Sequence, residues 1–361
     1  LFRFVAFSDL HAHNWKDFCH LDGTTGLNSR LLDAVHCIVQ IREYCISHDI
    51  STVVFLGDMF ETKGVVPFSV FNPIYAELTL FKTVGIHLIM LVGNHDLTTR
   101  ACEIHAMQAF KTFATVVDKP TLIKNAEKSA FLAAPFTYDI NIFNQYLEIL
   151  QAKGEAAVGY DLVRLLHCDC AKAKVESGFI VYHDIKPDIF KFADYCITLM
   201  GHYHMHQWVH SKACYVGSTQ SCHIGEANVE KGFVDVTVSK GACEIKFVKS
   251  DIPMIRKVTY TPGLDISQLS GDYVSVIIPQ KHEKEFVVAK RTLQCAHTVN
   301  VQVCATEFKK DTRIDISPDM RMTEALEKVI DSSLLAEKIG NLDKRKLKEL
   351  GKTFLTEAVE A

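Results

Sequence analysis

The chain has 361 residues, 48% apolar and 23% charged, the make-up of a soluble globular protein with one large core and room for a smaller second domain. Its formal net charge of −4 excludes a global basic field, so contact with nucleic acid would need a local patch, a metal centre or a basic partner. No apolar run reaches the roughly 18 residues of a membrane span, and the twelve cysteines are scattered without a CxxC pair, which reads as reduced thiols in an intracellular protein.

The first residues, LFRFVAFSD, run straight into strand-like sequence without a basic leader or cleavage site and read as a domain start. Residues 2–9 predict a buried strand, 29–49 an amphipathic helix, 51–58 a strand, 71–85 a helix and 87–96 a third strand. This alternation predicts an α/β layered domain whose strands are buried on both faces. Further strand-like runs end in VRLLHCDC (163–170) and YCITLMGHYH (195–204). CYVGSTQS and GFVDVTVSKGACEIKFVKS then predict a strand and a hairpin that complete a second sheet. Past Pro262 the texture changes, and 272–279, 284–295 and 300–308 predict a small β-α-β unit. From Met322 the sequence predicts amphipathic helices with a break near Gly340 and Asn341, suited equally to packing on their own domain or to binding a partner.

Five fragments carry chemistry: SDLHAH, LGDMFE, VGNHD, LLHCD and MGHYHMH. Each follows a β-like run, so their polar residues reach one edge of the sheet, where open α/β sheets build their sites. Asp9 and His11, two apart on an extended segment, can face one side. Asp58, Asn94 and His167 come one per strand end, and His202 and His204 alternate again. The donors are oxygen and imidazole nitrogen with no required thiolate, which favours manganese, iron or zinc in a hydrolytic centre over a structural zinc site. The set offers about eight ligand positions, enough for two ions if Asp58 bridges them. Alternation alone does not rank His202, His204 and His206, and a polar strand face is the competing reading.

In this order, D-x-H, G-D, G-N-H-D, H and G-H-x-H resemble the signature of the calcineurin-like metallophosphoesterases, over roughly residues 1–250. The stretch YVGSTQSCHIGEANVEKGFVDVTV (215–238) and the short helical tail are similar to SbcD-type nuclease subunits, especially the compact recombination nucleases of tailed phages. The resemblance implies a two-sheet α/β/β/α metallophosphoesterase sandwich over residues 1–255, a small α+β capping domain over 256–318 and a C-terminal helical tail over 319–361. It implies one divalent ion held by Asp9, His11, Asp58 and His204, and a second by Asp58, Asn94, His167 and His202. Mn2+ is the expected metal, with Mg2+, Fe2+ or Zn2+ as alternatives. His95 would protonate the leaving oxygen, and Asp96 would orient that ring and favour its protonated form. His206 is left without a ligand position, as a bystander or a substrate contact.

Around this set, His13, Lys63 and Arg100 are candidate substrate contacts, and Glu61 is either a hydrogen-bond partner behind the ligands or a solvated acid. Cys168 and Cys170, beside His167, read as packing thiols before a redox device; Trp15 and Trp208 as packing before stacking on a base. The resemblance implies a Mn-dependent DNA nuclease, bound through its tail to an SbcC-type coiled-coil ATPase and working as a homodimer on DNA ends in recombination or repair. Its place would be the cytoplasm, or the host cytoplasm if phage-encoded. A stand-alone phosphatase or small phosphodiesterase shares the five motifs but has no need of the C-terminal third. A non-catalytic adaptor would not need the intact ligand set or His95.

Overall fold

The computed structural model describes residues 1–99, 104–175, 180–181, 185–186, 195–262, 264, 269, 271–279, 282, 298–304, 322–331 and 343–360. β1 (Phe2–Phe7), α1 (Ser29–Ser47), β2 (Thr52–Phe55), α2 (Phe68–Thr83), β3 (His87–Leu91) and β4 (Thr115–Val117) alternate as expected, and the four strands pair in parallel in that order. Asn28 starts α1 by accepting hydrogen bonds from the amides of Arg30 and Leu31 at 2.9 and 3.4 Å. α2 begins three residues before the sequence pattern suggests, because Pro67, with φ −59°, is already set for a helical start.

A second array follows: β5 (Thr121–Lys124), β6 (Ser129–Ala134), α3 (Ile140–Glu155), β7 (Asp161–His167), β8 (Tyr195–Gly201), β9 (Gln207–His210) and β10 (Ala213–Tyr215). Its strand order is β5-β6-β7-β8-β10-β9. The hairpin β11 (Gly232–Ser239) and β12 (Ala242–Lys249) does not complete this sheet, contrary to the sequence expectation. It returns to the first, where β11 pairs antiparallel with β1. Asp235 anchors it there, accepting from the Arg3 guanidinium of β1 and, at 2.8 Å, from the Tyr44 hydroxyl of α1. Its apolar alternation could not distinguish the two sheets, because both line one shared core.

In that core Phe2, Phe4 and Ala6 of β1 meet Phe131 of β6, Val163 and Leu165 of β7, and Val234 and Val236 of β11. Phe4 and Phe131 touch edge to face at 4.9 Å between ring centres. The opposite face of β1, Val5 and Phe7, packs under α1 and α2, while α3 covers the outside of the second sheet with Phe143 and Leu150. The result is the expected α/β/β/α sandwich. Truncating a ring such as Phe4 to alanine would cost about 3–5 kcal/mol.

A third, all-parallel sheet orders β13 (Ile255–Thr259), β14 (Tyr273–Pro279) and β15 (Thr298–Cys304). It meets the main body where the Tyr273 hydroxyl donates to Asp33 of α1 at 2.7 Å. Two helices, α4 (Met322–Asp331) and α5 (Lys344–Glu360), pair through Lys348–Asp331 at 2.6 Å and through Gly351, which sits close against Leu326. The helical stretch expected over 284–295 and the break at Gly340 lie outside the described residues. No helix among the described residues is long and apolar enough to cross a membrane.

Candidate metal centre

The loops leaving β1, β2, β3 and β8, with the last residue of β7, bring the five motifs together at one edge of the sandwich. Alternation along a strand is not what does it, because β1 ends at Phe7 and β8 at Gly201. Instead Asp9, His11, Asp58 and His202 all adopt left-handed backbone, at φ +49°, +44°, +63° and +104°. Such conformations cost non-glycine residues on the order of 1–3 kcal/mol each and persist only where the surroundings fix them. Here the loops are laced together: the amides of Asp9, His11 and Ala12 donate to the carbonyls of Gly57, Asp58 and Met59 at 2.9–3.1 Å. The His202 amide donates to the Asp9 carboxylate at 3.1 Å. Gly93 is required by close approach, since a Cβ there would overlap the carboxylate and amide of Asp58.

All seven expected ligands converge. His11 Nε2 lies 3.1 Å from His204 Nε2 and 3.7 Å from Asp58 Oδ2, and Asp9 Oδ1 stands 3.9 and 4.0 Å from the two rings. On the other side of Asp58, its Oδ2 is 3.4 Å from His167 Nε2. Asn94 Oδ1 is 3.0 Å from His167 Nε2 and 2.9 Å from His202 Nδ1. Asp58 thus belongs to both clusters.

The donor set fits divalent cations. Each of the four histidines commits one ring nitrogen outward and leaves the other inside. His11 Nδ1 pairs with Glu61 at 2.7 Å, His167 Nδ1 with the Leu56 carbonyl at 2.6 Å, His202 Nε2 with Asp169 at 2.8 Å and His204 Nδ1 with Glu226 at 2.9 Å. Metal-binding histidines are held in this way. The pocket also favours positive charge. Burial opposes protonation of His167, yet Asp58 and Asp9 push it up to about 9, and Glu226 and Asp9 do the same for His204 against the same burial. Burial would raise the Asp58 carboxyl, but His167 and His11 hold it well below the usual carboxylate range. Three groups of donor atoms approach closely enough to share an ion: His11, Asp58 and His95; Asp58, His167 and His202; and His11, His204 and Cys222.

His95 stands edge-on to His11, with ring centres 4.8 Å apart. The structure corrects the expected role of Asp96. That carboxylate is buried and accepts from the backbone amides of Asp58, Met59 and Gly93, each at 2.9 Å. His95 is oriented by Glu61 instead, its Nδ1 bonded to the Glu61 carbonyl at 2.7 Å, and burial lowers its pKa rather than favouring the protonated ring. A turn explains the difference, since adjacent side chains there point apart.

Lys63 reaches the rim, donating to the Tyr138 hydroxyl at 3.1 Å, which in turn donates to the Asn94 carbonyl at 3.4 Å. His13 stacks edge-on against Trp15, 5.3 Å between centres, and Arg100 lies outside the described residues. His206 turns away, bonded to the Tyr215 carbonyl at 3.0 Å and stacked on Phe247, which makes it a structural bystander. Cys168 and Cys170 are core thiols beneath the second sheet. Sequence reasoning assigned no role to Asp169, Cys222, Glu226 or Lys231. The G-E and K-G-F pairs lay in a recognised stretch, and their spacing was the available signal.

The family model for calcineurin-like phosphoesterases matches residues 2–213. The chain belongs to that family. As a member it is a metal-dependent phosphoester hydrolase with clusters suited to divalent ions. Among solved structures it is similar to a dimetal phosphatase from Danio rerio, at 10% identity and a TM-score of 0.43, covering 69% of this chain and 96% of that one. It is also similar to GAP50 of Plasmodium, the anchor in the inner membrane complex, at 12% identity and a TM-score of 0.44, covering 69% and 85%. No curated protein matches the chain in sequence.

Proposed function

We propose that this phosphoesterase is a Mn2+-dependent DNA nuclease, the nuclease subunit of an SbcCD-type complex that processes DNA ends. The observation that carries the reading is the segment 215–238, whose G-E and K-G-F pairs resemble SbcD-type subunits and whose Glu226 and Lys231 form a buried pair behind His204. The third sheet, docked on α1 through Tyr273, supports it as a cap beside the site, a part that a minimal phosphatase does not need.

One ion would be held by Asp9, His11, Asp58 and His204 and the other by Asp58, Asn94, His167 and His202. Bound there, divalent ions supply charge neutralisation of the phosphodiester and a lowered pKa for water. The chain's own part is positional. Asp58, shared by both clusters, also accepts the His95 amide at 2.8 Å, so the general acid is registered to the same carboxylate as the ligands. With Nδ1–H donated to the Glu61 carbonyl, the proton that the departing oxygen takes would be a second one, carried on Nε2 when the ring is protonated. In this reading Lys63, whose ammonium lies at the rim beside Tyr138, and His13, beside Trp15, would meet the DNA backbone.

The test is cleavage by purified protein with Mn2+, offered linear duplex, single-stranded DNA and an aryl phosphodiester. Chelator-sensitive DNA cleavage is expected. Hydrolysis of the aryl ester alone would move the assignment to a small phosphodiesterase or phosphatase. The amphipathic pair α4–α5 is assigned to an SbcC-type ATPase, with a homodimer at the centre of the complex. Deleting residues from 322 onward should abolish ATPase binding and leave metal content unchanged. Partner binding that survives the deletion would refute the tail assignment.

A further inference from the structure

Cys222 stands where the five motifs place no ligand. Its Sγ and one nitrogen each of His11 and His204 lie within 4.8 Å of one another. The two imidazoles converge at 3.1 Å, with the Glu61 carboxylate against one at 2.7 Å and Glu226 hydrogen-bonded to the other at 2.9 Å. The same Glu226 carboxylate fixes the cysteine, since its Oε2 accepts the Cys222 amide at 3.1 Å. One buried acid therefore sets a nitrogen donor and a sulfur donor toward the same point. The other buried cysteines among the described residues, Cys37, Cys45, Cys168, Cys170, Cys196 and Cys214, each belong to a hydrophobic core cluster, whereas Cys222 belongs to none.

We propose that Cys222, with His11 and His204, forms a soft-ligand face of the first metal position that takes thiophilic divalent ions. The proposal rests on the metal-centre reading given above. Mn2+ and Mg2+ prefer oxygen ligands, and with them the thiol keeps its proton and stands aside. Zn2+, Co2+ or Cd2+ binds the sulfur as thiolate, and the thiol proton leaves to solvent. Metal choice in this chain is then set by a residue outside the family's five motifs.

The experiment is cobalt titration of the full chain after chelator stripping. Wild type is expected to show visible d–d bands together with a near-ultraviolet sulfur-to-cobalt charge-transfer band. Cys222→Ser should keep the d–d bands, which also reports that the site is folded, and lose the charge-transfer band. In competition, the serine variant should lose about tenfold or more in Cd2+ affinity relative to Mn2+. Wild-type d–d bands without charge transfer, or an unchanged Cd2+/Mn2+ preference in Cys222→Ser, would overturn the role of Cys222 and leave the metal centre standing. No cobalt uptake by either protein would overturn the metal centre itself, and the soft face with it.

Discussion

Replacing Asp96 separates a structural acid from a catalytic one. Its Oδ2 accepts the amides of Asp58 and Gly93 and its Oδ1 that of Met59, all at 2.9 Å and all buried. Asp96→Ala leaves three buried N–H donors without an acceptor. At about 1–3 kcal/mol per orphaned group the simple sum is about 3–9 kcal/mol, and local relaxation should bring the measured loss toward the lower end. Asp96→Asn is milder. Its amide oxygen can keep the two bonds of Oδ2, but the NH2 then faces the Met59 amide donor to donor, a loss of about 1–3 kcal/mol. Against a total stability of about 5–15 kcal/mol, the alanine variant should be near the limit of folding. Urea unfolding followed by circular dichroism should rank wild type above Asp96→Asn above Asp96→Ala. Metal content should fall in the same order, because the amides in question belong to the loops carrying Asp58 and Asn94. An Asp96→Asn variant that unfolds with wild type and retains metal yet has lost turnover would overturn this role, for Asp96 would then act on His95 after all.

Three further outcomes follow from the same geometry. His95→Asn should retain metal, measured by mass spectrometry, while hydrolysis of phosphodiester drops about 10²–10⁴-fold. Full activity would remove His95 from the mechanism. Lys231→Met strips the buried Glu226 of a cation at 2.6 Å and should cost about 3–5 kcal/mol in urea, partly restored by adding Glu226→Gln. An unchanged midpoint would mean that His204 and the Cys222 amide suffice to hold the charge. Asp235→Asn tests pH linkage away from the site. Burial would raise this carboxyl, but hydrogen bonds from Arg3 and Tyr44 hold it below its ordinary 3.8. A depressed folded value means that the contribution is fully present above about 3.8 and is lost as pH falls through the lower folded value. With Arg3 partly exposed and solvent-screened, the wild type should exceed the variant by about 1 kcal/mol near neutrality. That margin should shrink below about pH 4, and a gap that widened in acid would contradict the sign.

What was legible in the sequence divides along physical lines. Buried parallel strands declare themselves as apolar runs, and a polar donor at the end of each run has one place to go, so the positions of Asp9, Asp58, Asn94, His167 and His204 could be read directly. The way these residues converge could not. Spacing of two suggested extended segments at Asp9/His11 and His202/His204, whereas the backbone turns left-handed at Asp9, His11 and His202, and periodicity does not encode that. The hairpin's sheet was illegible for a different reason. Val234, Val236 and Val238 alternate equally well toward either wall of one core, and the choice rests on Asp235 meeting Arg3 and Tyr44 from far along the chain. Adjacency misled at His95 and Asp96, where a tight turn sends neighbouring side chains apart. The deepest gap concerns the groups behind the ligands. A ligand must be a particular kind of donor, but the partner of its outer nitrogen need only be an acceptor. Here that need is met by a backbone carbonyl at Leu56, by Glu61, by Asp169 and by Glu226. So loose a requirement leaves no fixed residue type for a motif to record: Glu61, beside the G-D motif, could be named from the sequence as one such partner, while Asp169, Glu226 and the Leu56 carbonyl become visible only when the fold brings them together.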